Sequence, residues 1–152
     1  MSTRTILVPT DFSPASTAAL PHAEALARQN DGRLVIVHVQ EPPMAYGGGE
    51  LPAPLPEPDS ARVATMLEAV KPRDAALPVA RRLAMGAPAA EICRIAAEEG
   101  ADMIVMGTHG RTGVMRLLMG SVAESVLRHA PCPVLVYRET EKKPAAASVA
   151  KG

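Results

Sequence analysis

Residues 103–122 read MIVMGTHGRTGVMRLLMGSV, and the expected fold and ligand both centre on this stretch. Its apolar run ends at Gly107, which predicts a buried strand leading into a turn. Glycine lets the backbone approach a ligand closely, and Ser121 is a predicted N-cap whose helix would turn free N–H groups toward an anion. Gly107, Gly110, Gly120 and Ser121 therefore form a candidate phosphate cradle. The alternative is a glycine-rich surface loop without a ligand.

Four further segments have strand patterns. The short branched runs at Thr5–Val8 and Leu34–Val39 predict buried strands, as in a parallel sheet, and Pro133–Tyr137 predicts a strand that is apolar on both faces. Leu77–Met85 alternates, with Leu77, Val79, Leu83 and Met85 expected on one side. Its Pro78, Arg81 and Arg82 suit an edge strand that discourages further pairing.

Helix signals separate these strands. Ser13 followed by Pro14, Asp59 and Pro88 mark three helix starts, and the fourth helix follows the glycine stretch. Pro21 predicts a kink in the first helix. Residues 40–58 are rich in proline and glycine and predict a long flexible connection that is either a lid or disordered, while residues 139–152 predict a flexible tail.

The alternation of strands and helices predicts an α/β fold. The expected architecture is a doubly wound, Rossmann-like, five-stranded parallel sheet in the order 3-2-1-4-5, formed by one domain over residues 1–138. Ligands of such sheets bind beyond the carboxyl ends of the strands, where the winding direction reverses. Pro9-Thr10-Asp11, His38-Val39 and Gly107 are all expected at strand ends, so they should converge on one cleft.

Composition narrows the function further. Among 152 residues, 16 basic side chains balance 16 acidic ones, which argues against a nucleic-acid or membrane binder. No apolar run approaches the length of a membrane span, and no signal segment opens the chain, so a cytoplasmic location is expected. Cys93 and Cys132 lack the spacing of a metal site or disulfide framework and are expected to be free thiols.

Pro9-Thr10-Asp11-Phe12-Ser13, together with the Gly-x2-Gly-x9-Gly-Ser pattern that begins at Gly107, resembles the universal stress protein family. The resemblance extends from Arg4 to Arg138. Because every position of the glycine motif is filled, it implies the ATP-binding branch of the family. Two departures stand out, which are Pro21 in the first helix and the proline content of residues 40–58.

The resemblance implies specific site residues. Asp11, beside Pro9 and Thr10, would contact the adenosine portion, Val39 would meet adenine through its backbone, and Met106 and Gly107 would line the ribose. The implied phosphate partners are Gly110, Gly120, Ser121 and Val122. Arg111 is a candidate phosphate cation, and Mg²⁺ could bridge the phosphates.

Three functions remain open at this point. The first is an ATP-binding regulator of stress physiology, the second is a slow ATP-hydrolysing enzyme, and the third is an interaction module without nucleotide. The chain has no Gly-x4-Gly-Lys-[Ser/Thr] motif, and no carboxylate beside the glycine stretch is an obvious base, so fast catalysis is not expected.

The last strand predicts assembly. Val134–Tyr137 would be an uncharged edge strand, and such an edge invites pairing with another chain. The expected result is a twofold homodimer through Val134–Tyr137, assisted by Val114, Leu117 and Leu118. The resemblance implies the same, since many members of that family dimerise through this last strand. The alternative is a monomer in which the tail from Glu139 covers the edge.

Overall fold

A computed structural model describes residues 4–42, 59–108 and 120–138. Five strands alternate with four helices, and the elements are listed here in chain order: β1 (Thr5–Pro9), α1 (Pro14–Gln29), β2 (Arg33–Gln40), α2 (Ser60–Ala69), β3 (Val79–Met85), α3 (Pro88–Glu98), β4 (Met103–Gly107), α4 (Ser121–His129) and β5 (Val134–Tyr137). All strand pairs are parallel, in the order β3-β2-β1-β4-β5. The predicted fold class and strand order are confirmed.

Two apolar layers cover the sheet. Alternate residues of each strand point to opposite faces, so Ile6 and Val8 pack with α1 and α2, while Leu7 packs with α3 and α4. The central strands are buried on both faces, which explains why their sequences are continuous apolar runs.

The helix starts follow the sequence signals, with one exception. Ser13 caps α1 by accepting the Ser16 N–H, and Asp59 caps α2 by accepting the Arg62 N–H at 3.0 Å. Pro88 begins α3. The N-cap of α4 is Gly120 rather than the predicted Ser121, because the Gly120 carbonyl already accepts the first helical bond, from Glu124 N–H at 3.0 Å.

Helix α1 runs without interruption through the exposed Pro21. The kink expected at this proline stays a prediction.

Strands β1 and β2 are longer than predicted. β2 begins at Arg33 and continues to Gln40 because β3 pairs with it up to Gln40↔Met85, so Val39 is not the last residue of the strand. Pro9 is likewise the last residue of β1. The part of the predicted connection from residue 43 to 58, and the predicted tail at 139–152, lie outside the described residues.

The predicted apolar side of β3 is wrong in its second half. Leu83 and Met85 are 38% and 50% exposed. Arg81 lies on that side, and its guanidinium donates to the carbonyls of Leu67 and Val70 at the end of α2. Because the contact of Arg81 with α2 is polar, the apolar side of β3 ends at Val79. β3 is an edge strand, as expected.

The two thiols match the expectation of free cysteines. Cys93 and Cys132 are half-buried beside the apolar layer of α3 and α4. Burial raises the pKa of both thiols, so both remain protonated near neutral pH. Within the described ranges, no helix combines the length and apolar character needed to cross a membrane.

Candidate functional site

A cavity of about 540 Å³ opens beyond the carboxyl ends of β1, β2 and β4. Its volume lies in the range of small-molecule sites. The chain winds outward from β1 through β2 to β3 and then returns to β4 on the other side, so the cavity lies where the winding reverses.

The structure brings together the sequence-predicted site residues that it describes. The cavity lining includes Pro9, Thr10, Asp11, Val39, Met106, Gly107, Gly120, Ser121 and Val122. Gly110 and Arg111 lie outside the described residues. The cavity is also lined by residues that the sequence did not predict as site residues, including Ser16, Gln40, Glu41, Val63, Pro88 and Ile92. Only the three-dimensional arrangement of α2 and α3 reveals the last three.

Asp11 lies in a tightly bonded turn between β1 and α1. Its Oδ1 accepts the Ser13 N–H at 2.9 Å, and Thr10 N–H donates to the Val37 carbonyl at 2.8 Å. Burial raises the pKa of Asp11, but hydrogen bonds from Ser13 and Ser16 lower it more, and the pKa lies below its ordinary value. The turn therefore holds an ionised carboxylate at the cavity wall.

The N-terminus of α4 forms another part of the wall. Gly120 is an N-cap without a side-chain cap, so the N–H groups of Ser121 and Val122 have no acceptor within the helix. The Gly120 N–H itself donates to the Thr108 carbonyl at 2.7 Å, so it is already used. No Lys or Arg is among the described residues that line the cavity, so within this part of the chain the start of α4 supplies the positive potential.

The backbone of Val39 faces the gap left where β1 ends. The backbone groups of odd-numbered residues in β2 point toward β1. The Arg33 N–H donates to the Arg4 carbonyl, and the Val37 carbonyl accepts the Thr10 N–H. β1 pairing stops at Pro9↔Val37. Among the described residues, Val39 has no backbone partner on this side, so its N–H and carbonyl border the cavity.

Gly107 has a structural role beside its place in the lining. A Cβ built there would lie 2.6 Å from the Ala15 carbonyl oxygen in the first turn of α1. Close packing of β4 against α1 therefore requires a glycine, whether or not a ligand is bound.

A family model described as the universal stress protein family matches residues 2–138. The chain belongs to the universal stress protein family. Universal stress protein MJ0531 of Methanocaldococcus jannaschii is 34% identical, over 91% of this chain and 84% of its own. A universal stress protein of Thermus aquaticus is 37% identical, over 89% of this chain and 98% of its own. The family predicted from the sequence is confirmed.

Solved structures of universal stress proteins share this fold. The structure of MJ0577 superposes with a TM-score of 0.73 at 28% identity, covering 91% of this chain and 98% of that one. A universal stress protein in complex with cAMP has a TM-score of 0.68 at 24% identity, covering 92% of this chain and 100% of that one. One from Archaeoglobus fulgidus in complex with dAMP has a TM-score of 0.63 at 23% identity, covering 89% and 97%.

Proposed function

We propose that this chain is a nucleotide-binding regulator of stress physiology that acts in the cytoplasm, with ATP as its resident ligand and Mg²⁺ bridging the phosphates. The observation that carries the proposal is a single cavity that combines an uncapped helix N-terminus with an ionised carboxylate. The first suits phosphate oxygens and the second suits hydroxyl or amino donors of a nucleoside. The fold also accepts adenine nucleotides in the two proteins solved with cAMP and dAMP.

Each end of the nucleotide has matching groups. The N–H groups of Ser121 and Val122 would bind phosphate oxygens, together with Gly110 as the family resemblance implies, and Arg111 is a candidate phosphate cation. Asp11 would accept from the nucleoside, and the open backbone of Val39 would pair with the adenine edge. Met106 and Gly107 would line the ribose side.

Substitution of Ser121 by proline tests the phosphate end. Proline fits the first helical position, and Gly120 already has the extended conformation (φ −58°, ψ 149°) that a residue before proline prefers. Ser121→Pro removes one N–H without breaking the helix, so ATP affinity should fall about tenfold while the melting temperature stays unchanged. Isothermal titration calorimetry with ATP·Mg²⁺ measures the affinity.

The matched control is Ser121→Ala, which keeps the N–H. The Ser121 side chain is exposed and does not cap α4, so alanine should leave fold stability within about 0.5 kcal/mol of wild type. If wild type freed of nucleotide shows no heat and no melting shift with millimolar ATP, with or without Mg²⁺, the proposed function is wrong. A true ligand at 100 times its Kd stabilises by about 2.7 kcal/mol. Release of phosphate over many turnovers would instead favour the slow ATP-hydrolysing enzyme.

The proposal includes a homodimer through β5. Leu135 is 42% exposed on this edge strand. The N–H groups of Ile104 in β4 and of Thr108, just after it, donate to the carbonyls of Pro133 and Tyr137, so odd-numbered residues of β5 bond inward. Val134 and Val136 consequently turn their backbone N–H and carbonyl groups outward, where a second β5 could pair with them.

Val136→Pro should therefore convert a dimer into a monomer without breaking the β4–β5 ladder, because the N–H that it removes points outward. Light scattering at tens of micromolar measures the mass. Leu135→Pro is the contrasting variant, since it removes an inward N–H and should destabilise the fold as well. A wild type that is monomeric, or a Val136→Pro variant that stays dimeric, would show that β5 is not the interface.

A further inference from the structure

His38 is a buried polar side chain beneath the turn that carries Asp11. It is 6% exposed, lies in β2 and lines the cavity. Its Nδ1 lies 2.7 Å from the Thr10 carbonyl oxygen. A carbonyl can only accept, so Nδ1 carries a proton and donates it to this bond.

The hydrogen bond from His38 takes the place of a backbone hydrogen bond that would continue the pairing of β1 with β2. In an extended β1–β2 ladder, the Val39 N–H would donate to Thr10. Among the described residues, the Val39 N–H does not donate to the Thr10 carbonyl, and the imidazole of His38 supplies the donor instead. The Thr10 carbonyl is thus satisfied while the Val39 backbone stays open toward the cavity.

The same imidazole supports a strained residue. Phe12 has a φ of 65°, in the left-handed region that a bulky side chain rarely adopts. Its ring lies 4.5 Å from the ring of His38, and its N–H donates to Thr10 Oγ1 at 3.0 Å. Such a conformation persists only where its surroundings hold it, and His38 contacts both neighbours of Asp11.

From these contacts we propose that His38 is the positioning residue for Asp11 and that its bond to Thr10 and its packing on Phe12 set the direction in which the carboxylate meets a nucleoside. The inference rests on the proposed function for its ligand. A histidine that only fills the core would lower fold stability when replaced and would have no specific link to Asp11.

Two substitutions separate the parts of this contact. His38→Phe keeps an aromatic ring against Phe12 and loses the donor, whereas His38→Asn keeps a donor near the position of Nδ1 and loses the ring. Each should weaken ATP binding about five- to tenfold by calorimetry. Val35→Ala is the control, because Val35 is also fully buried in β2 but lies away from the cavity lining. It should lower the melting temperature and leave ATP affinity unchanged.

A double-mutant cycle with Asp11→Asn tests whether His38 acts through Asp11. Once the carboxylate is gone, His38→Phe should reduce ATP affinity less than twofold further. Independent, multiplicative losses in the two single variants would overturn the inference.

The direction of the Asp11 carboxylate also has a readout that needs no nucleotide. Carbon-13 NMR follows the titration of the Asp11 carboxyl group, which the Ser13 and Ser16 hydrogen bonds influence. Loss of the His38 hydrogen bond should loosen the turn, so the pKa of Asp11 should change in His38→Phe. In Val35→Ala the pKa of Asp11 should stay at the wild-type value. An unchanged titration in His38→Phe would overturn the inference. Absence of ATP binding by wild type would overturn the proposed function alone, because this titration still decides the role of His38.

Discussion

Gly107→Ala is expected to lower the free energy of unfolding by about 1–3 kcal/mol, a loss of several degrees in melting temperature. The added Cβ would lie 2.6 Å from the Ala15 carbonyl oxygen and 2.9 Å from its carbonyl carbon. These are backbone atoms in the first turn of α1, so they can yield only if the helix moves away from β4. Thermal and urea unfolding followed by circular dichroism measure the effect.

Gly100 provides a matched contrast. It ends α3 with a φ of +60°, and a Cβ there meets nothing within 4 Å. Asparagine tolerates the left-handed conformation, so Gly100→Asn should cost well under 1 kcal/mol. Gly107→Asn should cost at least as much as Gly107→Ala, because any Cβ meets α1. Equal costs of asparagine at the two positions would refute the steric explanation.

Glu24→Ala is expected to cost about 2–3 kcal/mol in the free energy of unfolding. Glu24 lies in α1 and is 7% exposed. Its two carboxylate oxygens accept the backbone N–H groups of Arg73 at 3.0 Å and Asp74 at 2.9 Å. Alanine would leave both donors without this acceptor and would release the segment before β3 from α1.

Two comparisons sharpen this result. Glu24→Gln retains one carbonyl acceptor and should lose roughly half as much. Glu124→Ala removes an exposed partner of Arg128 on α4 and should cost less than about 0.5 kcal/mol. Urea unfolding of the three variants gives the ranking, and a Glu24→Ala variant as stable as Glu124→Ala would show that the buried carboxylate contributes little.

Local chemistry was enough to predict the architecture. Ser13-Pro14 and Asp59 begin helices because capping depends on neighbours in sequence. Continuous apolar runs predicted β1, β2 and β4 because a strand covered on both faces has little room for polar residues. A short apolar run predicted β5, and alternation predicted β3.

Apart from the N-cap of α4, the differences between prediction and structure depend on distant partners. β2 continues to Gln40 because β3 accompanies it, and Arg81 reaches across to α2. The burial of Glu24 follows from a segment far along the chain. For the site, the sequence indicated some of the residues that meet at the cavity, but not those that α2 and α3 contribute. It also did not indicate that α1 requires the glycine at 107 or that His38 bonds to Thr10.

The parallel order of the strands also constrains how the chain acquires its structure. In the described part of the sheet, no two neighbouring strands are joined by a hairpin, and β1 pairs through Ile6 with Met103 of β4. During synthesis, β1 can pair with β2 early, but its other edge stays open until β4 has left the ribosome. Because such non-local pairing is slow, the half-built sheet exposes an apolar strand for longer than a hairpin protein would. A cell that makes this protein while unfolded chains are abundant therefore needs chaperones to protect the open edge of β1, the central strand, until β4 pairs with it.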